Sequence, residues 1–96
     1  MAAKFTCKIL SPETTLFDGE AEMLSLRTTE GEVAFLAGHE RFIGLIDKCS
    51  AHISVDSTSA DGRGLNIALS TGVIHFNDNT AVVISETAEI ETGEDI

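Results

Sequence analysis

Tryptophan and tyrosine are missing from this 96-residue chain, and proline occurs once. A core without them has to be filled by aliphatic side chains, methionine and five Phe. Basic residues are also scarce. Six Lys and Arg face sixteen Asp and Glu, for a formal net charge of −10. That field repels phosphate, so nucleic acid is excluded as a partner. Part of the excess sits at the end of the chain, in Glu86, Glu89, Glu91, Glu94 and Asp95. The two cysteines, Cys7 and Cys49, make no CxxC pair and have no His at metal-ligand spacing. A small secreted domain usually carries more bridges, so both read as reduced, buried, small apolar residues of a cytosolic protein. No apolar run approaches the roughly 20 residues that span a bilayer, which excludes direct membrane insertion by a helix. Residues 1–5 lack the apolar core of a signal peptide.

Catalytic patterns are absent as well. There is no GxxxxGK[ST] or GxGxxG to cradle phosphate, and neither Ser11 nor Ser70 lies in a GxSxG context. His39, His52 and His75 are far apart in sequence. Glu20, Glu22, Glu30 and Glu32 lack the oxygen-rich loop spacing of a Ca²⁺ site. The expectation is a protein without catalytic residues, metal or cofactor, and not an enzyme.

What the chain does have is short apolar runs punctuated by turn residues. Over 4–10, Phe5, Cys7 and Ile9 alternate with Lys4, Thr6 and Lys8, which places the apolar set on one face of a strand. Ser11-Pro12-Glu13 breaks that run. Leu16-Phe17 is a short apolar piece closed by a turn at Asp18-Gly19. Residues 22–26 alternate again up to a turn at Glu30-Gly31. Val33-Ala34-Phe35-Leu36 is apolar on both faces and reads as a central, doubly covered strand. Residues 37–42 are irregular, and 43–46 and 52–55 are extended. A Ser-, Asp- and Gly-rich hairpin loop follows over 56–64. Residues 65–69, 73–76 and 81–84 are three further strands, with Asn77-Asp78-Asn79 a strong turn between the last two.

No long window shows helical periodicity. The pattern predicts an all-β fold, a small two-sheet β-sandwich or barrel of about nine or ten short, mainly antiparallel strands. The domain occupies 1–86, followed by an acidic, flexible tail over 87–96.

Three segments carry a family resemblance. Ser11-Pro12-Glu13 through Leu16-Phe17-Asp18-Gly19-Glu20-Ala21-Glu22 resembles the SPE..LF.GEAE stretch of F-type ATP synthase ε subunits. Glu30-Gly31-Glu32-Val33-Ala34-Phe35-Leu36-Ala37-Gly38-His39 resembles the family's GE.GILPGH, in the same order and at the same spacing. Ala81-Val82-Val83-Ile84-Ser85-Glu86-Thr87-Ala88-Glu89 is similar to its closing strand and the ADTAE sequel. The sequence departs from the family at three places. Leu26-Arg27-Thr28 stands for LPG, Leu36-Ala37-Gly38-His39 lacks the Pro of LPGH, and Ser70-Thr71-Gly72-Val73 has lost one Gly of SGGF.

The resemblance implies a non-catalytic piece of the central stalk that couples the γ subunit to the polar loops of the membrane c-ring. ATP synthesis in such a complex is driven by an ion gradient. Its expected place is peripheral, on the cytoplasmic side of the bacterial inner membrane. By the same resemblance, Ser11, His39 and Gly44 match γ-facing positions. Glu30, Gly31 and Glu32 match the turn that faces the c-ring; by composition alone, they read as a solvated hairpin tip.

Phe42 joins the γ set because Phe35, Leu36, Phe42 and Ile43 put more apolar surface near one loop than a thin core needs. Family members carry a following α-helical hairpin that inhibits hydrolysis and in some binds ATP. Neither property is expected here, since 87–96 is too short for two helices. The alternative reading is a stand-alone cytosolic β-sandwich module that binds an unrelated protein.

Overall fold

The computed structural model describes residues 3–56 and 63–93. Among these residues there are ten strands: β1 (Phe5–Leu10), β2 (Thr15–Ala21), β3 (Met23–Thr28), β4 (Gly31–Leu36), β5 (Phe42–Ile46), β6 (Cys49–Asp56), β7 (Arg63–Leu69), β8 (Gly72–Asn77), β9 (Thr80–Ser85) and β10 (Ala88–Gly93). Hydrogen bonding runs β10-β7-β6-β3-β5-β8-β9-β1-β2, with β4 beside β3. One layer is therefore β2-β1-β9-β8-β5 and the other β4-β3-β6-β7-β10. They join where Thr28 of β3 pairs with Ile46 of β5. All pairings are antiparallel except β1 with β9.

The period of two decides which residues meet between the layers. Phe5, Cys7 and Ile9 of β1 are buried, as are Ile74 and Phe76 of β8 and Ala81 and Val83 of β9. Leu24 and Leu26 of β3, Ile53 of β6 and Ile67 of β7 close the core from the opposite layer. Phe35 and Phe76 stack across the two layers with ring centroids 5.4 Å apart and planes within 5°.

Three local expectations change. Asp18-Gly19 is not a turn, because β2 runs straight through it. In the register Asp18 lies opposite Lys8 and Gly19 opposite Cys7, and pairing with β1 along the whole of β2 holds this segment extended. Nor is β4 central: it pairs only with β3 and buries only Phe35 fully, leaving Ala34 and Leu36 exposed. The two apolar faces of that run are one core face and one open face. The flexible tail expected from Thr87 gives way to β10 over Ala88–Gly93, paired with β7. Glu89 is exposed and lies opposite Ala68, so its charge does not oppose pairing. Finally, much of the loop expected at 56–64, and residues 94–96, lie outside the described residues.

Both cysteines are free; Cys7 is buried and Cys49 half-buried. Burial pushes the Cys7 thiol up to about 12 from its usual 9.0. Below the lower value both folded and unfolded chains keep the proton. Between the two, only the unfolded thiol ionises, so stability falls as pH rises. Denaturant unfolding at about pH 8 and about pH 10.5 should show a loss some 1–2 kcal/mol larger in the parent than in Cys7→Ala. Equal losses would remove Cys7 as the cause.

Candidate docking surface

The outer face of the β2-β1-β9-β8-β5 layer is unusually apolar. Register aligns Leu45, Val73, Ile84 and Leu10 in one row across β5, β8, β9 and β1. The adjacent row is Ile43, His75, Val82 and Lys8. Ile43 is 64% exposed, Leu45 60%, Ile84 51% and Val73 40%. Each sheet of a two-layer sandwich has only one face on the core. These side chains are the surplus, a contiguous aliphatic surface facing solvent.

Two loop regions border it. At one end Asp78 and Asn79 take positive φ (55° and 58°), which Asn and Asp tolerate in tight hairpin turns. The Asn79 side chain then clips three segments together. Its Oδ1 accepts from Gly38 N–H (2.8 Å), and its Nδ2 donates to Lys4 C=O (3.1 Å). Gly38 itself sits at φ 81°, so the loop turns without the missing Pro. His39 Nδ1–H donates to Glu40 C=O (2.7 Å), and its ring packs edge-on against Phe35 at 4.8 Å.

At the other end is the β3–β4 hairpin. Thr28 is buried; its hydroxyl donates to Gly31 C=O (2.8 Å) and accepts from Glu30 N–H (3.1 Å). Gly31 has φ 125°, a conformation that favours glycine. Glu30, Gly31 and Glu32 are all exposed. Thr29 N–H donates to Leu45 C=O (3.0 Å), which ties the hairpin to the edge of the apolar layer.

The chain matches the family described as "ATP synthase, Delta/Epsilon chain, beta-sandwich domain" over residues 4–91. The chain belongs to this family. Among its curated relatives is the ATP synthase epsilon chain of Clostridium novyi, 35% identical over 89 residues. That alignment covers 93% of this chain and 65% of the relative, so the chain spans slightly under two thirds of that protein. The epsilon chain of Rhodococcus jostii is 29% identical over 94 residues, covering 98% of this chain and 75% of its own length. A solved mitochondrial ATP synthase of Euglena gracilis, comprising OSCP, F1 and c-ring, contains a chain of the same fold. Its TM-score is 0.81 at 20% identity, covering 94% of this chain and 55% of that one.

Within this delta/epsilon sandwich the residues singled out by resemblance fall into separate places. Ser11 follows β1, with its N–H bonded to Thr14 C=O (2.8 Å). His39 lies diagonally across the layer, about 20 Å away from the strand and residue spacings. The apolar rows fill the ground between them. Phe42 and Gly44 turn inward: the Phe42 ring meets Phe35 at 5.4 Å, and a Cβ on Gly44 would approach Phe42 Cε1 at 2.8 Å.

The apolar patch expected from Phe35, Leu36, Phe42 and Ile43 is therefore only partly right. Phe35 is fully buried and Leu36 faces out from the other layer. Leu45, Val73 and Ile84 belong in their place. The signal for them is present in Ala81-Val82-Val83-Ile84, a run apolar on both faces that a two-layer fold cannot bury twice.

Sequence reasoning also missed Ser85. It is 1% exposed, donates to Thr87 C=O (2.7 Å) and accepts from Ser70 N–H (3.1 Å). That hydroxyl stitches the ends of β7 and β9 to the start of β10. His52 is held by Asn66 (2.9 Å) on the far layer, remote from His39 and His75.

Proposed function

We propose that this chain is the non-catalytic coupling domain of the central stalk of a rotary F-type ATP synthase. It joins the γ subunit to the c-ring during ATP synthesis driven by an ion gradient, and its place is peripheral, on the cytoplasmic side of the bacterial inner membrane. The observation that carries the reading is the exposed aliphatic face of Ile43, Leu45, Val73 and Ile84. A surface of that kind on a small acidic domain is suited to a permanent partner.

In this reading γ covers the face between Ser11 and the His39 loop. Phe42 and Gly44 contribute from beneath, by fixing the backbone of β5. The hairpin tip of Glu30, Gly31 and Glu32 meets the c-ring loops, which carry basic and amide groups in the family. Its exposed carboxylates favour encounter and register more than affinity. The domain transmits torque and makes no covalent bonds. Neither hairpin inhibition nor ATP binding is assigned to residues 4–91.

The test is co-expression with the γ subunit of the same organism. A stable equimolar complex on size exclusion is the expected result. A chain that elutes alone beside soluble γ would leave the stand-alone binding module as the better reading.

A further inference from the structure

The apolar face ends at β5, and β5 has an open backbone edge. Leu45 C=O accepts from Thr29 N–H, so it points away from β8. In an antiparallel strand every second residue turns its N–H and C=O to the same side. Ile43 therefore turns both its backbone groups to that side. Among the described residues no strand meets them there, because β3 pairs with β5 only at Thr28 and Ile46 and then departs into its hairpin. A cleft of about 290 Å³ remains between Thr28, Thr29 and Glu30 on one wall and β5 on the other.

Edges of this kind are normally blunted by Lys, Pro or a bulge. Residues 42–46 read Phe-Ile-Gly-Leu-Ile, with none of these. Ile43 and Leu45 stand exposed on the outer side of the same edge.

We infer that β5 accepts an extended segment of the γ subunit as an added strand, paired through the N–H and C=O of Ile43. The inference rests on the docking proposed above and names how that docking ends at the sheet margin. Charge selects the occupant. Glu30 lies in the cleft wall and the chain carries −10 overall, so a second copy of this chain is repelled. The matching segment alternates apolar side chains, which lie over Ile43 and Leu45, with a Lys or Arg that reaches Glu30. Main-chain bonds of this type supply affinity, while side chains on the outer face supply specificity.

Amide hydrogen exchange of the chain, alone and with purified γ, reads the bond directly. The Ile43 N–H should exchange fast in the free chain and at least about a hundredfold more slowly in the complex. Ile43→Pro removes that N–H at a position that makes no ladder bond to β8, where an edge strand tolerates proline. It should weaken γ binding about tenfold or more, while Ile43→Thr, which keeps the N–H, should lose less.

Binding of γ without slowing at Ile43 would overturn strand addition and leave the docking face intact. The exchange result stands by itself if Ile43→Pro fails to fold. No binding by the parent chain would sink the docking and this inference together. Slowing at Ile43 that grows with concentration of the chain alone would assign the edge to a second copy instead.

Discussion

With Leu45 and Ile84 both replaced by Glu, the chain should fold as before and lose γ by about a thousandfold. The two side chains stand 60% and 51% exposed on the outer face, so neither is a core residue. Val73 lies between them in the row, which separates the two carboxylates by two strand spacings, about 10 Å. Self-repulsion in the free chain is accordingly small.

Covered by a partner, each aliphatic side chain contributes about 1.5–3 kcal/mol. A carboxylate buried without a partner there costs several kcal/mol more. The sum exceeds the roughly 4 kcal/mol that corresponds to a thousandfold. Isothermal titration of γ into each chain measures it, with thermal unfolding as the control for the fold. Leu36→Glu, on the outer face of the other layer, should bind like the parent. Parent-like affinity of the double variant would remove this face from the γ interface.

Gly72→Ala should be the most damaging single substitution among the glycines of the described core. Gly72 opens β8 opposite Ser85. A Cβ built there would lie 2.0 Å from Ile84 C=O oxygen and 2.8 Å from Ser85 Cα. Both obstacles are backbone, so no rotamer change relieves them and β8 must part from β9. The cost should exceed the 1–3 kcal/mol typical of overpacking. For a domain of this size that lowers Tm by about 12 °C or more. Gly19→Ala is the contrast: its Cβ would meet only the Phe17 ring at 3.7 Å, an ordinary contact. Circular dichroism melting curves of the two variants test the pair, and a Gly72→Ala midpoint within a few degrees of the parent would refute the packing argument. One glycine of the family's SGGF has been lost here; the one that remains is the one with no room for a side chain.

Much of the fold is legible in alternation alone. Phe5, Cys7 and Ile9 point to the core as their period of two requires, and Asn77-Asp78-Asn79 makes the turn its residues favour. Alternation fails where a residue's neighbours decide its state. Asp18-Gly19 carries a turn signal, but in the sheet Asp18 lies opposite Lys8, ten positions earlier in the chain, and nothing local announces that neighbour. Ala88–Gly93 looks like tail until β7 offers an edge.

The docking face was hidden for a different reason. A strand apolar on both faces reads as deeply central, and only the number of layers shows that one of those faces must stay outside. Thr28 and Ser85 were hidden because a lone hydroxyl gives no sign in sequence of the carbonyl it will meet.

β2 and β3 are nearly one ribbon. Between them Glu22 donates its N–H to Ser54 C=O (2.7 Å), so the chain crosses from one layer to the other without a loop. The ribbon starts beside β1, at the margin of the layer that carries the aliphatic face, and ends in the Glu30-Gly31 hairpin. Under the proposed function, a load applied by the shaft at one end reaches the rotor ring along a continuous strut, with no slack connection in its path. Compliance of the rotor at this point is then set by hydrogen bonds in shear, which are stiffest when loaded together. In that reading little elastic energy would be stored here between one catalytic step and the next, and the softness of the machine would reside in other parts of the shaft.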